Sequence, residues 1–459
     1  MNKIFKVIWS KSKQCYVVVS EMAKNTTGKK KIIVASILAG LAMSTMGPNV
    51  MAVSPTIPHD KASSALANGE VKSGTTNGVA IGSSSYIDSD QSIAIGYRSY
   101  GSGTSQGGII QPSVAVGAGA HAQGNNTVAI GTIAENKASY GVALGNESKV
   151  TSGSDYGIAI GYQTQVSAVH SMAIGEKASA SATLAIALGA NAKATGAYSY
   201  TAGFNSESGG EAAIAVGKSA SASGESAVAV GNGTVATGSD TVAIGTSSQA
   251  TGSDALAIGK SANASNSDSI AIGQDTVSNQ INSVALGLSS QATGSSATAL
   301  GAHTKATDTG AVAIGLKAEA TKEGSISIGQ ESAASGLKAI TTGMKSVASG
   351  ENAAAYGNTA KAVGKNSLAL GANTQATVEG GVALGAGSIA NTVATAGYNP
   401  NTGRTNTFTG LSGNALTSTW AAVSIGDGTN TRQLTGLAAG TNNTDAVNVA
   451  QLKSMNLAF

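Results

Sequence analysis

From residue 75 onwards, the hydrophobic and polar positions repeat a short phrase, apolar-Ala-apolar-Gly, from VAIG at 79–82 to VALG at 382–385. Its glycine recurs 22 times and, from Gly161 to Gly385, returns every 14 residues, with three degenerate copies that keep the phase. A second turn signal falls seven residues later, so each period splits into two halves of one short strand and one turn. Where this second turn lacks glycine, Asn266 or Asp308, residues tolerant of left-handed backbone, takes its place.

The alternation within the phrase predicts an all-β fold. Val242 and Ile244 share one strand face while Ala243 takes the other. A helix could fit a period of 14, but a glycine about every seven residues and paired β-branched positions favour strands. Stacked coils then pair equivalent strands in parallel, giving a two-sheet β-solenoid roughly 100 Å long. A flattened coil has room inside only for small side chains, so we place Ala243 and its equivalents inward and the Val and Ile outward.

The outward positions form an apolar stripe that is larger than soluble monomers usually expose. A partner with the same repeat is another copy of the chain, so we expect a parallel cyclic homo-oligomer, and the period alone does not choose between two and three copies. The predicted interface residues are Val128, Ile130, Val242, Ile244, Ile270, Ile272, Val284, Leu286, Val312 and Ile314. The predicted turn glycines are Gly131, Gly245, Gly259, Gly273, Gly287 and Gly315.

Composition narrows the function classes. Glycine supplies 61 of 459 residues, while aromatic residues make up 4% and charged residues 11%, which excludes a conventional core, collagen and a coiled coil over most of the length. After residue 52 acidic residues slightly outnumber basic ones, so no basic face for nucleic acid follows. The single cysteine, Cys15, precedes that point, so no disulfide framework is expected.

The amino terminus resembles an export signal. Residues 25–52 combine the basic run 29–31, an apolar run over 32–46 and a small-residue cleavage site that predicts processing after Ala52. The alternative is a membrane anchor, but this apolar run is shorter than the ~20 residues that span a bilayer. Residues 1–24 resemble the extended signal-peptide region of large Gram-negative autotransporters.

No catalytic, cofactor or metal site is predicted. Three of the four histidines, His121, His170 and His303, fall at different phases of the repeat, and His59 precedes it, so they cannot cluster along the solenoid. Asp240, Asp254 and Asp268 share one phase, which could indicate calcium, but Asn282 and Asn366 take that place elsewhere and such residues are ordinary turn formers. We therefore expect a protein that is not an enzyme.

Longer phrases connect the chain to a known family. NSVALG at 282–287, NTVAIG at 126–131 and NSLALG at 366–371 resemble the head repeat of YadA-like trimeric autotransporter adhesins, and AVSIGDGTNTRQLTGLAAGTNNTDAVNVAQLK at 422–453 resembles their neck. YNPNTG at 398–403 and Trp420 resemble an insert common before the neck. The resemblance implies a left-handed parallel β-roll that forms a homotrimer. The family continues into a stalk and a membrane β-barrel anchor, and we expect the present sequence to lack both.

The resemblance implies a bacterial surface adhesin head, exported to the cell surface or outer membrane, that attaches to host matrix or cells by multivalent binding. Its expected partners are two further copies of itself and a host matrix protein or cell surface, with no nucleic acid and no membrane insertion by this segment. The alternatives are a structural or surface-templating solenoid without a specific ligand and a truncated, unanchored fragment. The predicted boundaries are 1–24 (extended region), 25–52 (signal), 53–74 (linker), 75–389 (head), 390–421 (insert) and 422–459 (neck and start of a coiled coil).

Overall fold

The computed structural model describes residues 5–10, 15–20, 64–66, 68–73, 75–103, 111–399, 403–405, 408 and 410–455. The chain divides into two compact units, Met1–Asp60 and Lys61–Phe459. In the first unit, strands Phe5–Ser10 and Cys15–Ser20 pair antiparallel. The predicted cleavage site at Ala52 lies outside the described residues.

The second unit is a parallel β-solenoid, as the repeat predicts, and each coil contributes one strand to each of two ladders. The first ladder, here the long-strand ladder, holds strands of two to four residues. Its strands are Ser64–Leu66, Val79–Ile81, Ile93–Ile95, Ser113–Val116, Thr127–Ile130, Val142–Leu144, Ile158–Ile160, Met172–Ile174, Ile186–Leu188, Tyr200–Ala202, Ile214–Val216, Val228–Val230, Val242–Ile244, Leu256–Ile258, Ile270–Ile272, Val284–Leu286, Thr298–Leu300, Val312–Ile314, Ile326–Ile328, Ile340–Thr342, Ala354–Tyr356, Leu368–Leu370, Val382–Leu384 and Val423–Ser424.

The second ladder, here the short-strand ladder, holds strands of two residues. Its strands are Glu70–Val71, Tyr86–Ile87, Tyr100–Gly101, His121–Ala122, Glu135–Asn136, Lys149–Val150, Gln165–Val166, Ser179–Ala180, Lys193–Ala194, Glu207–Ser208, Ser221–Ala222, Val235–Ala236, Gln249–Ala250, Asn263–Ala264, Val277–Ser278, Gln291–Ala292, Lys305–Ala306, Glu319–Ala320, Ala333–Ala334, Val347–Ala348, Lys361–Ala362, Gln375–Ala376 and Ile389–Ala390.

The register keeps equivalent residues in line. Val242 pairs with Leu256 and Ile244 with Ile258, and the same one-coil step runs through both ladders. The extra residues between Gly96 and Gly117 fall between strands, so Ile93 still pairs with Val114. Each coil therefore satisfies the backbone hydrogen bonds of its neighbours, as expected of a solenoid.

The core is a narrow column of mostly small side chains. The expectation that only small side chains fit inside was wrong at Ile87, Val150 and Val166, which are the inward residues of their short strands and are fully buried. In the coil that begins at Gly245, the four inward residues are Ser248, Ala250, Ala255 and Ala257, all at most 1% exposed.

Most inward hydroxyls have hydrogen-bond partners, which removes the penalty of burying them, although the Ser199 and Ser367 hydroxyls have none. The Thr304 hydroxyl donates to the Gly301 carbonyl at 2.9 Å, and in most equivalent turns the hydroxyl bonds its phrase glycine in the same way.

The phrase glycines allow the coils to stack closely. Gly245 has φ +126°, and a Cβ there would lie 2.6 Å from the Gly259 carbonyl oxygen of the next coil. Gly131, Gly259, Gly273, Gly287 and Gly315 share this geometry, with φ between +126° and +138°. Glycine is needed at these positions both for its backbone conformation and for the missing side chain.

The left-handed turn residues are not where the sequence placed them. They lie two and nine positions after the phrase glycine, as at Ser247 (φ 56°) and Asp254 (φ 55°). The interpretation of Asn266 and Asp308 as left-handed residues was wrong, because Asp268 and Gly310, two positions later, carry the positive φ. Gly252 at that earlier position is needed for space instead, since a Cβ there would lie 2.1 Å from the Asn266 carbonyl carbon.

Strands extend beyond the repeat visible in the sequence at both ends. Ser64–Leu66 pairs with Val79–Ile81, so strands lie within the stretch assigned to a linker. At the other end, Val423–Ser424 pairs with the last phrase strand, Val382–Leu384. The Arg432 guanidinium donates to the Ser388 hydroxyl at 2.9 Å and also to the carbonyls of Ala386 and Ile425. These contacts hold the predicted neck against the final coil.

The insert and neck carry the remaining elements. Tyr398–Asn399 and Arg404–Thr405 pair antiparallel, and a 3-10 turn spans Gly413–Ala415. Asn448 is the N-cap of the helix Val449–Ser454. Its side chain accepts a hydrogen bond from the backbone N–H of Gln451, and the Gln451 side chain accepts one from the backbone N–H of Asn448, which completes a capping box. The Gln451 side chain also bonds both backbone groups of Gly440, so the neck loop positions the helix start.

We predict that Gly245→Ala destabilises the solenoid by about 1–3 kcal/mol, because the substitution combines an unfavourable φ with a clash against the Gly259 carbonyl. Denaturant unfolding followed by circular dichroism, at one fixed protein concentration, measures the effect. The matched control is Gly310→Asn, since Gly310 has φ +64° and a Cβ there would have no neighbouring atom within 4 Å. Equal stability of the two variants would contradict the close-stacking role of the phrase glycine.

Candidate assembly and binding surfaces

The outer face of the long-strand ladder carries two adjacent columns of apolar side chains, here the apolar stripe. They are the first and third residues of each phrase, and the alanine between them is buried. All ten predicted interface residues lie in these columns, and Ile270 and Ile272 are direct ladder neighbours of Val284 and Leu286. Ile244 is 39% exposed and Leu286 45% exposed. The stripe is thus a long apolar surface that the single chain leaves partly exposed.

The apolar stripe is interrupted at a few coils. Thr298 replaces the first apolar residue in one coil, and Thr342 replaces the second in another. Ala354 and Tyr356 follow directly in the next coil. The repeat is therefore regular enough to make one surface but not identical at every rung.

The opposite face, on the short-strand ladder, is polar. Its outward residues include Glu135, whose carboxylate lies 3.1 Å from the Lys149 ammonium and also pairs with Lys137. Burial raises the pKa of Glu135, but hydrogen bonds from these two ammonium groups outweigh burial and hold the pKa below its ordinary value. A similar ion pair joins Lys305 and Glu319 at 3.0 Å.

Two surface features escaped sequence reasoning. The rings of Tyr140, Tyr156 and His170, which lie at equivalent turns of three consecutive coils, stack on one another with centroids 4.9 and 4.6 Å apart. A hydroxyl column follows the short strands, as at Thr237 and Thr251, and both serine and threonine occur in it. Aligning the coils by their phrase glycine would have revealed the hydroxyl column.

The histidines and aspartates take the places that their phases imply. His121 lies on a short strand, His303 at the first left-handed turn position and His170 at the second. Asp240, Asp254 and Asp268 all occupy that second left-handed position. Across the residues that the structure describes, no group of three or more His, Cys, Asp or Glu side chains could hold a metal ion.

The insert forms a shallow cavity beside the last coil. Trp420 is 69% exposed and lies against Gly380, where a Cβ would approach its ring to 3.0 Å. The cavity has a volume of about 340 Å³, and its lining includes Glu379, Val393 and Thr419. It places an exposed aromatic ring next to the end of the apolar stripe.

Comparison with protein families identifies the repeat. A family model described as the YadA head domain repeat matches ten segments that together cover more than half of the chain. The chain belongs to the YadA-like trimeric autotransporter adhesins. The matched segments are 76–99, 111–132, 152–178, 180–199, 208–234, 236–262, 264–290, 292–318, 320–340 and 362–388.

Two further models match the ends of the chain. The extended signal peptide of the Type V secretion system matches residues 1–47, and the coiled stalk of trimeric autotransporter adhesins matches residues 433–457. An extended signal peptide on an autotransporter adhesin indicates secretion to the bacterial cell surface. Family and fold together point to a structural, non-enzymatic protein.

Among solved structures, the chain is similar to the collagen-binding domain of the Yersinia adhesin YadA. The two are 26% identical, the match covers 55% of this chain and 85% of that domain, and the TM-score is 0.15. A comparison with curated proteins gave no significant match. In the part of the chain that the structure describes, no helix is both long and apolar enough to cross a membrane.

We predict that Ile244→Asp weakens self-association by at least about a hundredfold, because it places a like charge from every copy inside a desolvated apolar contact. Sedimentation velocity over a concentration series measures the shift towards monomer. Asp240→Ser is the control, since Asp240 lies at an exposed turn whose equivalent, Ser226, is already serine. An unchanged sedimentation profile for Ile244→Asp would show that the apolar stripe is not the interface.

Proposed function

We propose that the chain is the head and neck of a homotrimeric surface adhesin, which attaches the bacterium to host extracellular matrix or cells through many weak contacts. In this proposal residues 75–389 form the head, 390–421 an insert and 422–459 the neck with the start of a coiled coil. The observation that carries the proposal is the repetition of one exposed surface on every coil of a family-specific solenoid.

The apolar stripe supports the trimer. Side chains such as Ile244 and Leu286 are half-exposed in the single chain, and the same columns run along the whole ladder. A stripe of this extent is covered when another copy aligns with it. The neck also exposes apolar residues, including Leu434, Val447 and Leu452, which contacts with other copies would cover.

The polar faces support multivalent binding. With the apolar stripe covered by other copies, the short-strand ladder and the turns are the surfaces left to meet a host protein. Each coil presents nearly the same short face, and a trimer multiplies it threefold. Linked weak sites gain effective concentration without new contacts, so total affinity rises steeply with the number of coils. Collagen, other matrix proteins and self-association between cells are the ligand classes that the family resemblance implies.

A surface-templating solenoid is the second candidate, and the hydroxyl column is the observation that favours it. A surface-templating function requires a regular, flat array of identical or similar side chains. The column beside the hydroxyls, however, mixes Lys193, Glu207, Ser221, Val235 and Gln249 on successive strands. This irregular charge and size favour the adhesin.

We predict that binding to immobilised collagen or another matrix protein falls disproportionately when two coils, Thr246–Gly273, are removed. The deletion joins Gly245 to Gln274 and so preserves the 14-residue register. Surface plasmon resonance at matched trimer density measures apparent affinity, and circular dichroism checks that the shortened solenoid still folds.

The rival explanation is one specific site in the insertion around residues 106–112, most of which lies outside the described residues. Trimming that insertion while keeping every coil provides the comparison. If the two-coil deletion binds like the complete chain and the trimmed insertion abolishes binding, the repeated surface is not the binding surface.

A further inference from the structure

The apolar stripe by itself does not fix how two copies align. Its residues repeat every coil, so sliding one copy by one coil brings Val and Ile against equivalent Val and Ile and loses the burial of only one rung. Repetitive surfaces specify register weakly, and coiled coils solve the same problem with charges beside the apolar seam. Features that differ from coil to coil must therefore help to fix the alignment, and the coil edges carry several of them.

Charged residues at the two turns provide such a feature. The first turn comprises the two residues after the phrase glycine, and the second turn comprises the residues six and five positions before the next phrase glycine. Six coils carry net charge at both turns, and in five of them the signs are opposite. The five opposite pairs are Lys218 and Glu225, Lys260 and Asp268, Lys317 and Glu323, Glu331 and Lys338, and Lys345 and Glu351; the like pair is Glu147 and Asp155.

These opposite charges do not pair within one coil. The two turns lie at opposite edges of the flattened coil, and over the described ranges no ion pair within 4.0 Å joins them. The ion pairs in this region run along an edge: Lys345 lies 3.6 Å from Glu331, and Lys365 lies 2.9 Å from Glu351. Pairing along an edge explains why signs alternate on each edge. It does not explain why the two edges are complementary at the same coil.

Apolar side chains stand beside these charges. Leu316, Leu337 and Met344 lie at the same turns and are 42%, 39% and 43% exposed. Large apolar residues at polar turn tips indicate edges that another surface covers. They also continue the apolar stripe around the rim of the coil, because Leu316 and Met344 directly follow the phrase glycine.

We propose that neighbouring copies of this chain meet edge to edge, with the first turn of one copy against the second turn of the next. The turn charges of the coils that begin at Gly315, Gly329 and Gly343 then fix the register between copies. The proposal rests on the proposed homotrimer. In a cyclic assembly of parallel copies, one edge of each copy faces the other edge of the next, so every interface uses the same pairs. In register, Glu331 meets the neighbour's Lys338, and Lys345 meets the neighbour's Glu351.

A slipped register brings like charges together in either direction. A slip by one coil one way places Glu331 against the neighbour's Glu351 and Lys345 against its Lys365. A slip the other way places Lys345 against the neighbour's Lys338. Both slips are unfavourable because the coil that begins at Gly329 has the opposite order of charges from its neighbours, with an acidic first turn and a basic second turn.

The test is a charge-swap cycle on the full secreted chain with Glu331→Lys, Lys338→Glu and the double variant. Each single variant places like charges at every interface, and we expect association about tenfold weaker in sedimentation equilibrium. The double variant restores opposite charges between copies, so most of the loss should return. Damage within one chain, such as the lost pair between Glu331 and Lys345, is not repaired by the double variant, so only contact between copies produces this coupling.

The control is the swap Lys305→Glu with Glu319→Lys. This pair forms an ion pair within one chain on the short-strand ladder, away from both edges, and its swap should leave association unchanged. Additive losses at 331 and 338, in a chain that still assembles, would overturn the register proposal alone. A wild-type chain that remains monomeric would overturn the proposed trimer and the register proposal with it.

A cysteine cross-link reads the register directly and does not depend on charge. The only cysteine of the chain is Cys15 in the leader, so background disulfides are absent after processing. Disulfides need Cα atoms within about 7 Å. Gln330→Cys with Leu337→Cys should link copies that are in register, and Gln330→Cys with Asn352→Cys should not. Linking by the second pair in place of the first would overturn the proposal.

Discussion

The close stacking of one coil on the next is the constraint on which the rest of this structure depends. At the phrase glycines from Gly82 to Gly371 the backbone of one coil lies so near the next coil's backbone carbonyl group that a side chain would clash, as between Gly245 and Gly259. This contact occurs once per coil and sets the 14-residue period. A longer coil must place its extra residues between strands. Across the insertion after Gly96, Ile93 still pairs with Val114.

Close stacking and a two-strand coil leave only a thin interior. Ala243 and Ala250 fill it, and where serine or threonine replaces alanine the hydroxyls pair with each other or with a turn carbonyl, as Ser327 does with Ser332 at 2.7 Å. Larger side chains enter this interior at few positions, among them Ile87, Val150 and Val166, which are fully buried. Most Val and Ile of the phrases lie on the outer face instead, where the proposed assembly of copies would bury them.

Repetition gives the chain a long uniform surface. Because equivalent residues recur on every coil, that surface does not distinguish one register between two copies from another. Nearly identical rungs suit a binding surface whose strength comes from number, and they suit a long interface between copies. In the proposed assembly, alignment depends on the few features that differ from coil to coil, among them the turn charges of the coil that begins at Gly329 and the neck held by Arg432. Departures from the consensus are thus the informative positions in a chain of this kind.

The sequence by itself determined the period, the two strands per coil and the direction in which Ala243 and Ile244 point, because alternation and glycine spacing are local properties of the chain. It also determined the family, since the phrases, the leader and the neck each carry a specific pattern. It misplaced the left-handed turn residues, because glycine at Gly252 answers a clash with the next coil that no single coil shows. It overlooked the strand at Ser64–Leu66, which lacks the phrase and becomes a strand only by pairing with Val79–Ile81. The tertiary structure alone decided that Tyr140, Tyr156 and His170 stack and that the two charged turns of a coil lie at opposite edges, because both depend on which distant residues the winding brings side by side.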